Sequence, residues 1–361
     1  MQGIRFIIVA ALATALAACN SEFLDFEFAF SINEEEVFST QSSIEETLAQ
    51  TGTDPEYAQT IYPIVLVHGL YGFDKILGVD YWYRVAEAIE LGGGEVYTLP
   101  VPKLNSTWYR AEYLLEALQD LSAQTGHAKF HLQGHSHGGP TVRYIIDTAP
   151  ELLASVTTIG GLNMFGVDDI DEYVDALESF FPGIIGQGML NGLAELIELL
   201  GGNEQNHQSF ALASFRSFTP EAVLEFNQSH NLGLPSGWED NTYDCLDGTD
   251  TPIDGDHYAN VAGHDIFFYS WSGTGIKTNV LDPTDLLVAY TAEQLNVPES
   301  DGMVERCTSH FGRILRSDYD LNHLDQMNWV FALRRATAAN PLSIYRIHSN
   351  RLKQLEIDEG L

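Results

Sequence analysis

One segment restricts the fold more than any other: residues 128–149, AKFHLQGHSHGGPTVRYIIDTA. A short strand, KFHLQ, leads into a serine framed by histidines and glycines, and a helical pattern follows at once. A strand that passes directly into a helix needs a sharp turn, which small residues beside Ser136 permit. The flanks repeat the theme. YPIVLVHG (62–69) is a short apolar run ending in glycine, residues 80–92 have helical spacing, EVYTLPV is a strand, a long helix spans about 107–124, and SVTTIGG (155–161) is another strand. Continuous apolar strands alternating with helices predict an α/β domain with a mostly parallel central sheet flanked by helices. A chain of 361 residues is long enough for one large core, or one core and a smaller domain.

The serine motif is G-x-S-x-G, Gly134 to Gly138. Such a match arises by chance in roughly one chain in ten of this length, so its weight comes from the strand before it and the helix after it. In that setting the hydroxyl projects above the sheet, and Ser136 is the expected nucleophile. A serine hydroxyl needs a histidine to take its proton and a carboxylate to orient that histidine. On α/β-hydrolase sheets the carboxylate precedes the histidine. Several histidines follow Ser136, and position favours Asp301 in SDGMV with His323 in LNHLDQMN. His135 and His137 flank the serine too closely to turn back onto it and are expected to shape the elbow. An acyl-transfer oxyanion needs two backbone donors; His137 follows the nucleophile, and the loop HGLYG after the first strand offers Leu70.

Charge bears on partners and habitat. With 51 acidic against 17 basic residues the net charge is −34, which argues against nucleic acid as a partner. It suits either a saline habitat, where salt screens the repulsion, or a generally acidic secreted protein. The N-terminus, MQGIRFIIVAALATALAACN, has one early cation and an apolar run too short to span a bilayer comfortably. It reads as an export signal over 1–18. Leu16 to Cys19 resembles the lipobox of bacterial lipoproteins, which implies lipidation of Cys19 and a membrane anchor; ordinary cleavage and secretion is the alternative. Residues 19–60 are expected to form an acidic tether, since Asn20 to Thr60 holds ten acidic residues and no lysine or arginine; FLDFEFAF within it could instead dock as an edge strand. The domain proper is expected over 61–361. Cys245 and Cys307 could close a disulfide in an oxidising compartment, worth about 4 kcal/mol on the chain-entropy account, or remain buried thiols. Residues 165–202 alternate apolar positions at helical spacing with flexible glycines, which suits two core helices or a mobile lid.

Taken in order, YPIVLVHGLYGFDKILGVDYW, GHSHGGPTVRY, YSWSG, NVLDPTD, DGMV followed by a cysteine, and NHLDQMN closely resemble the foldase-dependent bacterial triacylglycerol lipases of the Pseudomonas and Burkholderia type. The resemblance spans about residues 61–357. It implies an α/β-hydrolase fold with a helical lid at about 182–202, a Ser136–Asp301–His323 triad, an oxyanion hole from the Leu70 and His137 amides, and a Cys245–Cys307 disulfide. It further implies a structural calcium ion held by Asp282 and Asp325 with carbonyls of Trp329 and Leu333. The oxygen set suits a hard cation, and Asp325 lies two residues past His323. A membrane-anchored foldase is the implied folding partner and an acylglycerol at a lipid–water interface the implied substrate. A short-chain esterase, a phospholipase and a polyester depolymerase would use the same parts, and an inactive lipid-binding surface lipoprotein could use the same fold. The stretch GGLNMFGVDDIDEY departs from the family, which usually has a proline and a basic, polar stretch there.

Overall fold

The computed structural model describes residues 39–70, 72, 75–76, 79–166, 211–240, 242–243, 245, 257–279, 282, 284–295, 299–329 and 333–361. The export signal, Cys19 and FLDFEFAF lie outside these residues, as does the expected lid apart from 165–166.

In chain order the elements are β1 (Ser39–Gln41), α1 (Ile44–Thr51), β2 (Ile64–Val67), the small hairpin β3 (Lys75–Ile76) and β4 (Val79–Asp80), α2 (Val85–Glu90), β5 (Val96–Leu99), α3 (Thr107–Thr125), β6 (Phe130–His135), α4 (Gly138–Thr148), β7 (Leu153–Ile159), α5 (Ala211–Arg216), α6 (Pro220–Ser229), β8 (Tyr258–Val261), β9 (His264–Gly273), α7 (Thr284–Leu295), β10 (Arg313–Tyr319), β11 (Leu333–Arg335) and α8 (Pro341–Glu359). Six strands form a parallel path in the order β10-β9-β7-β6-β2-β5, and β8 joins antiparallel to β9. Every residue of β2, β6 and β7 is buried, as a parallel sheet covered on both faces requires.

Alternation along β2 divides the core. Val65 and Val67 face a cluster with Leu114 and Leu118 of α3 and Val142 and Ile145 of α4. Ile64 and Leu66 face the opposite cluster, with Val85 and Ile89 of α2 and Leu342, Tyr345 and Leu352 of α8. Side chains cap the longer helices where the sequence offers them: Ser106 accepts from Tyr109 N at α3, and Asn340 from Leu342 N at α8.

Strand order also locates the site. From β2 the chain leaves toward β5, whereas from β6 it leaves toward β7 on the other side. The crevice between the carboxyl ends of β2 and β6 is therefore a topological switch point, where open α/β sheets bind ligands. The loops that meet there are HGL (68–70) and GHSHG (134–138).

The tether boundary differs from expectation. Residues 39–60 are part of the fold: β1 pairs with β11, and α1 rests against α8. The cause is polar docking onto two buried arginines. Arg334 reaches Ser42 Oγ (3.0 Å) and Glu46, and Arg346 bonds Thr51 Oγ1 (2.9 Å) and the carbonyls of Gly52 and Asp54. Acidic composition announced a solvated segment because the cations that bind it lie about 290 residues further on. The helix expected over 80–92 is shorter, Val85–Glu90, and that expected over 107–124 runs to Thr125. Cys245 and Cys307 are joined in a disulfide rather than left as thiols. Among the described residues no helix is long and apolar enough to cross a membrane.

Candidate active site

Ser136 sits between β6 and α4 at φ 57°, a left-handed conformation that non-glycine residues rarely adopt. Two backbone bonds hold it there: its amide donates to Ile159 O (2.9 Å), and its carbonyl accepts from Gly139 N (2.8 Å). The glycines are sterically required. A Cβ on Gly134 would stand 2.2 Å from Gly138 O, and one on Gly138 would stand 2.4 Å from Val67 O. Strand, elbow and helix thus pack too closely for a side chain at position 134 or 138.

Gly69 of the opposing loop lies against the nucleophile, since a Cβ there would meet Ser136 Cβ at 2.6 Å and Oγ at 3.1 Å. Its neighbour Leu70 therefore carries an amide at the mouth of the elbow. His137 begins α4, where the first amides have no intrahelical acceptor and the helix dipole favours negative charge. Both amides expected to form an oxyanion hole thus stand on the two loops that meet at Ser136. Buried Arg110 braces the first of these loops, donating to His68 O (2.6 Å) and to Pro102 O. His68 is pushed down to about 3, chiefly by burial and then by the Arg110 charge, so this loop carries a neutral ring.

Asp301 and His323 come together as expected. His323 Nδ1 lies 2.7 Å from Asp301 Oδ2, both side chains are buried, and the His323 amide donates to Asp301 O (2.9 Å). The Asp301 carboxylate also accepts from Met303 N (3.1 Å), Val304 N (2.8 Å) and Gln326 Nε2 (2.6 Å). With four donors it is fixed as an acceptor. Nδ1 of His323 must then carry the proton, which leaves Nε2 unprotonated and able to act as a base. Among the described residues no direct Ser136–His323 hydrogen bond is formed; such bonds commonly tighten only when substrate fills the site. The residue types and the φ 57° elbow suit nucleophilic acyl transfer.

His135 and His137 do shape the elbow. The ring of His137 meets Thr107 Oγ1 (2.9 Å), and that of His135 lies between Tyr81 and the His323 backbone. Burial lowers both well below the usual histidine range. Gln326 and Tyr81 were not legible as site residues. Gln326 follows His323 by one helical turn in NHLDQ, the only local signal; Tyr81 arrives from a distant loop.

Beyond His323, Asp325 is buried with Asp282 and Asp285. Asp325 Oδ2 accepts from Thr278 Oγ1 (2.6 Å) and Asn322 N (3.1 Å), and Asn322 Nδ2 reaches Asp285 Oδ1 (2.7 Å). Burial, with repulsion from its acidic neighbours, raises Asp325 well above the carboxylate range and pushes Asp285 up to about 7; burial also raises Asp282. The carboxyl oxygens of Asp282 and Asp325 fit the donor chemistry of a hard cation. Among the described residues no three or more histidine, cysteine or carboxylate side chains converge as a ready ligand set, so a cation here would draw on Asp282 and Asp325 and on backbone oxygens. Trp329 follows the left-handed Asn328 just after the turn Asp325–Met327, and Leu333 opens β11; the residues between them lie outside those described.

Comparison with known proteins agrees with this geometry. The family described as alpha/beta hydrolase fold matches residues 62–186. A triacylglycerol lipase of Vibrio cholerae is 38% identical over 313 residues, covering 85% of this chain and 93% of that protein. A triacylglycerol lipase of Burkholderia plantarii is 34% identical over 328 residues, covering 82% of this chain and 87% of its own. Among solved structures, a Staphylococcus hyicus lipase superposes with a TM-score of 0.51 at 16% identity, over 85% of this chain and 99% of that one, a likeness of fold.

Proposed function

Since the chain belongs to the triacylglycerol lipase family of the α/β-hydrolase fold, we propose that it hydrolyses carboxylic esters of acylglycerols through an acyl-enzyme on Ser136. The observation that carries this reading is the His323–Asp301 pair, with its tautomer fixed by four donors to the carboxylate, beside a serine held at φ 57°. His323 Nε2 takes the hydroxyl proton as Ser136 Oγ attacks the ester carbonyl. The oxyanion that forms is met by the amides of Leu70 and His137. His323 then protonates the departing glycerol oxygen, and the acyl-enzyme is hydrolysed by water activated in the same way. Asp301 keeps the imidazole oriented and stabilises its cation. Removing one oxyanion donor from such a site costs on the order of 10²–10³ in turnover, which sets the contribution of that loop.

Asp282 and Asp325, with the Trp329 and Leu333 carbonyls, would hold the calcium ion that the sequence motifs imply. When bound it would supply positive charge to the crowded carboxyls and so steady the segment presenting His323. Residues 165–202 are proposed as the lid and a membrane-bound foldase as folding partner, because the motifs over 61–357 resemble those of foldase-dependent lipases; Cys19 is proposed as a lipid anchor on an exported protein because Leu16 to Cys19 resembles a lipobox, a feature unusual for that family.

The test is hydrolysis of triolein and tributyrin emulsions by the mature chain with calcium, beside Ser136→Ala. Cleavage of triolein that the substitution abolishes is the expected result. Cleavage of tributyrin alone would make the protein an esterase, and hydrolysis that survives in Ser136→Ala would overturn the mechanism.

A further inference from the structure

We propose that Tyr81 and His135 are positioning residues that lock the oxyanion-binding loop to the catalytic histidine through one directed chain of hydrogen bonds; this rests on the roles assigned above to Ser136, Leu70 and His323. The chain is continuous. Gly69 N lies 3.2 Å from Tyr81 Oη, Tyr81 Oη lies 2.8 Å from His135 Nδ1, and His135 Nε2 lies 2.9 Å from His323 O. Chemistry assigns every direction. A backbone carbonyl only accepts, so His135 Nε2 carries the proton. The ring is neutral, since burial and the neighbouring His323 hold it well below the histidine range, so Nδ1 accepts from the Tyr81 hydroxyl. The tyrosine oxygen is then free to accept from Gly69 N–H. Each group is used in the only sense open to it.

Geometry gives the chain its purpose. Gly69 precedes the Leu70 amide and abuts Ser136; His135 precedes Ser136; His323 is the base. The three working parts sit on three separate loops, after β2, after β6 and after β10, and this chain is a side-chain link across all of them. Its members are buried: Tyr81 is 4% exposed and His135 1%. Rings pack around it, with His135 4.6 Å from His323 and about perpendicular to Trp82 at 6.0 Å. The distance from oxyanion donor to base is therefore set by rigid aromatic side chains rather than by loop backbone. Neither residue need touch substrate. A small displacement of the loop would weaken transition-state binding far more than substrate binding.

The experiment uses the full mature chain and a soluble ester, p-nitrophenyl butyrate, with Tyr81→Phe, His135→Gln, His135→Leu and the double variant Tyr81→Phe/His135→Leu. Glutamine can donate to the His323 carbonyl and accept from Tyr81; leucine can do neither. The expected result is a fall of about ten-fold in kcat for Tyr81→Phe and for His135→Leu, KM within about two-fold of the parent, recovery of most of the loss in His135→Gln, and a double variant no worse than the poorer single one. A Tyr81→Phe enzyme within two-fold of the parent in kcat would overturn the proposal, as would equal losses in His135→Gln and His135→Leu, or losses that multiply in the double variant. If a His135 variant fails to fold, Tyr81→Phe, which keeps the ring and its packing, decides alone. Full activity in a parallel Ser136→Ala sample would instead remove the reading on which the proposal rests.

Discussion

Each end of the central sheet carries a buried histidine paired with a carboxylate beside a serine. At the carboxyl ends of the strands His323 meets Asp301 at 2.7 Å, beside Ser136. At the amino ends His131 Nε2 meets Glu356 Oε1 at 3.0 Å, and His131 Nδ1 meets Ser155 Oγ at 2.8 Å. By residue type the second cluster is a complete Ser–His–Glu triad. It is built to hold, not to react. Ser155 lies within β7, fully buried in extended backbone, whereas Ser136 stands at a left-handed elbow just ahead of a helix. Glu356 also accepts the amides of Ile61 (2.6 Å) and Tyr62 (2.9 Å), so the cluster ties α8 to the chain entering β2. Residue identity makes a hydrogen-bonded lock at one end; the left-handed backbone at Ser136 and the loop packed against it are what set the proposed nucleophile apart.

Removal of each serine hydroxyl should separate the two clusters most sharply. Ser136→Ala is expected to lower kcat by about 10⁴-fold or more with an unchanged unfolding midpoint. Ser155→Ala should leave kcat within about two-fold while costing about 1–2 kcal/mol, because it strands His131 Nδ1 without a donor. Steady-state kinetics and urea unfolding of the two variants read both effects, and an active-site phenotype in Ser155→Ala would erase the distinction.

Carboxylate substitutions should divide the same way. Asp301→Asn favours the wrong tautomer of His323 and is expected to cost about 10⁴ in kcat with little loss of stability. Glu356→Gln removes the charge that three donors address and should cost about 3 kcal/mol, with kcat retained in the molecules that remain folded.

The calcium ion proposed at Asp282 and Asp325 would compete with protons for the same buried carboxyls. With a chelator present, the folded chain keeps protons on Asp285 and Asp325 that an unfolded chain loses near pH 4, so stability falls as pH rises toward and through 7. Calcium should relieve this, adding about 3 kcal/mol at a hundred times its dissociation constant, and at one fixed calcium concentration adding more at pH 8 than at pH 6 because protons no longer compete. Denaturant titrations with and without chelator check the sign; a calcium effect that shrinks as pH rises would contradict it.

A separate effect concerns acid in the presence of calcium. His68, His135, His137 and His348 are held below the usual 6.5, mainly by burial, so below that pH the unfolded chain binds protons that the folded one refuses. Stability is fully present above about 6.5 and is lost as pH falls, by up to about 1.4 kcal/mol per pH unit for each histidine. Three of the four lie on the loops around Ser136. A stability flat between pH 7 and 5 would show these rings to be less confined than their burial implies.

Much of the catalytic end was legible because its signals are local. The apolar run at 64–67, the strand at 130–135, the glycines at 134 and 138, and the order Ser136, Asp301, His323 each sit within a few residues or follow chain order. The amino-end lock was not legible, since Ser155, His131 and Glu356 carry no motif and meet only through packing across 225 residues of chain. The same holds for Tyr81 and Gln326. Docking of residues 39–60 was hidden for a related reason: their acidic composition reads as solvated until Arg334 and Arg346 are placed beside them.

The most direct test of the difference between the two ends is labelling with a p-nitrophenyl alkylphosphonate, followed by peptide mapping of the inactivated protein. One adduct per chain on Ser136, with Ser155 unmodified and inactivation proportional to labelling, is the predicted result. Activity that persists with Ser136 fully modified, or inactivation that follows a different serine, would contradict the account.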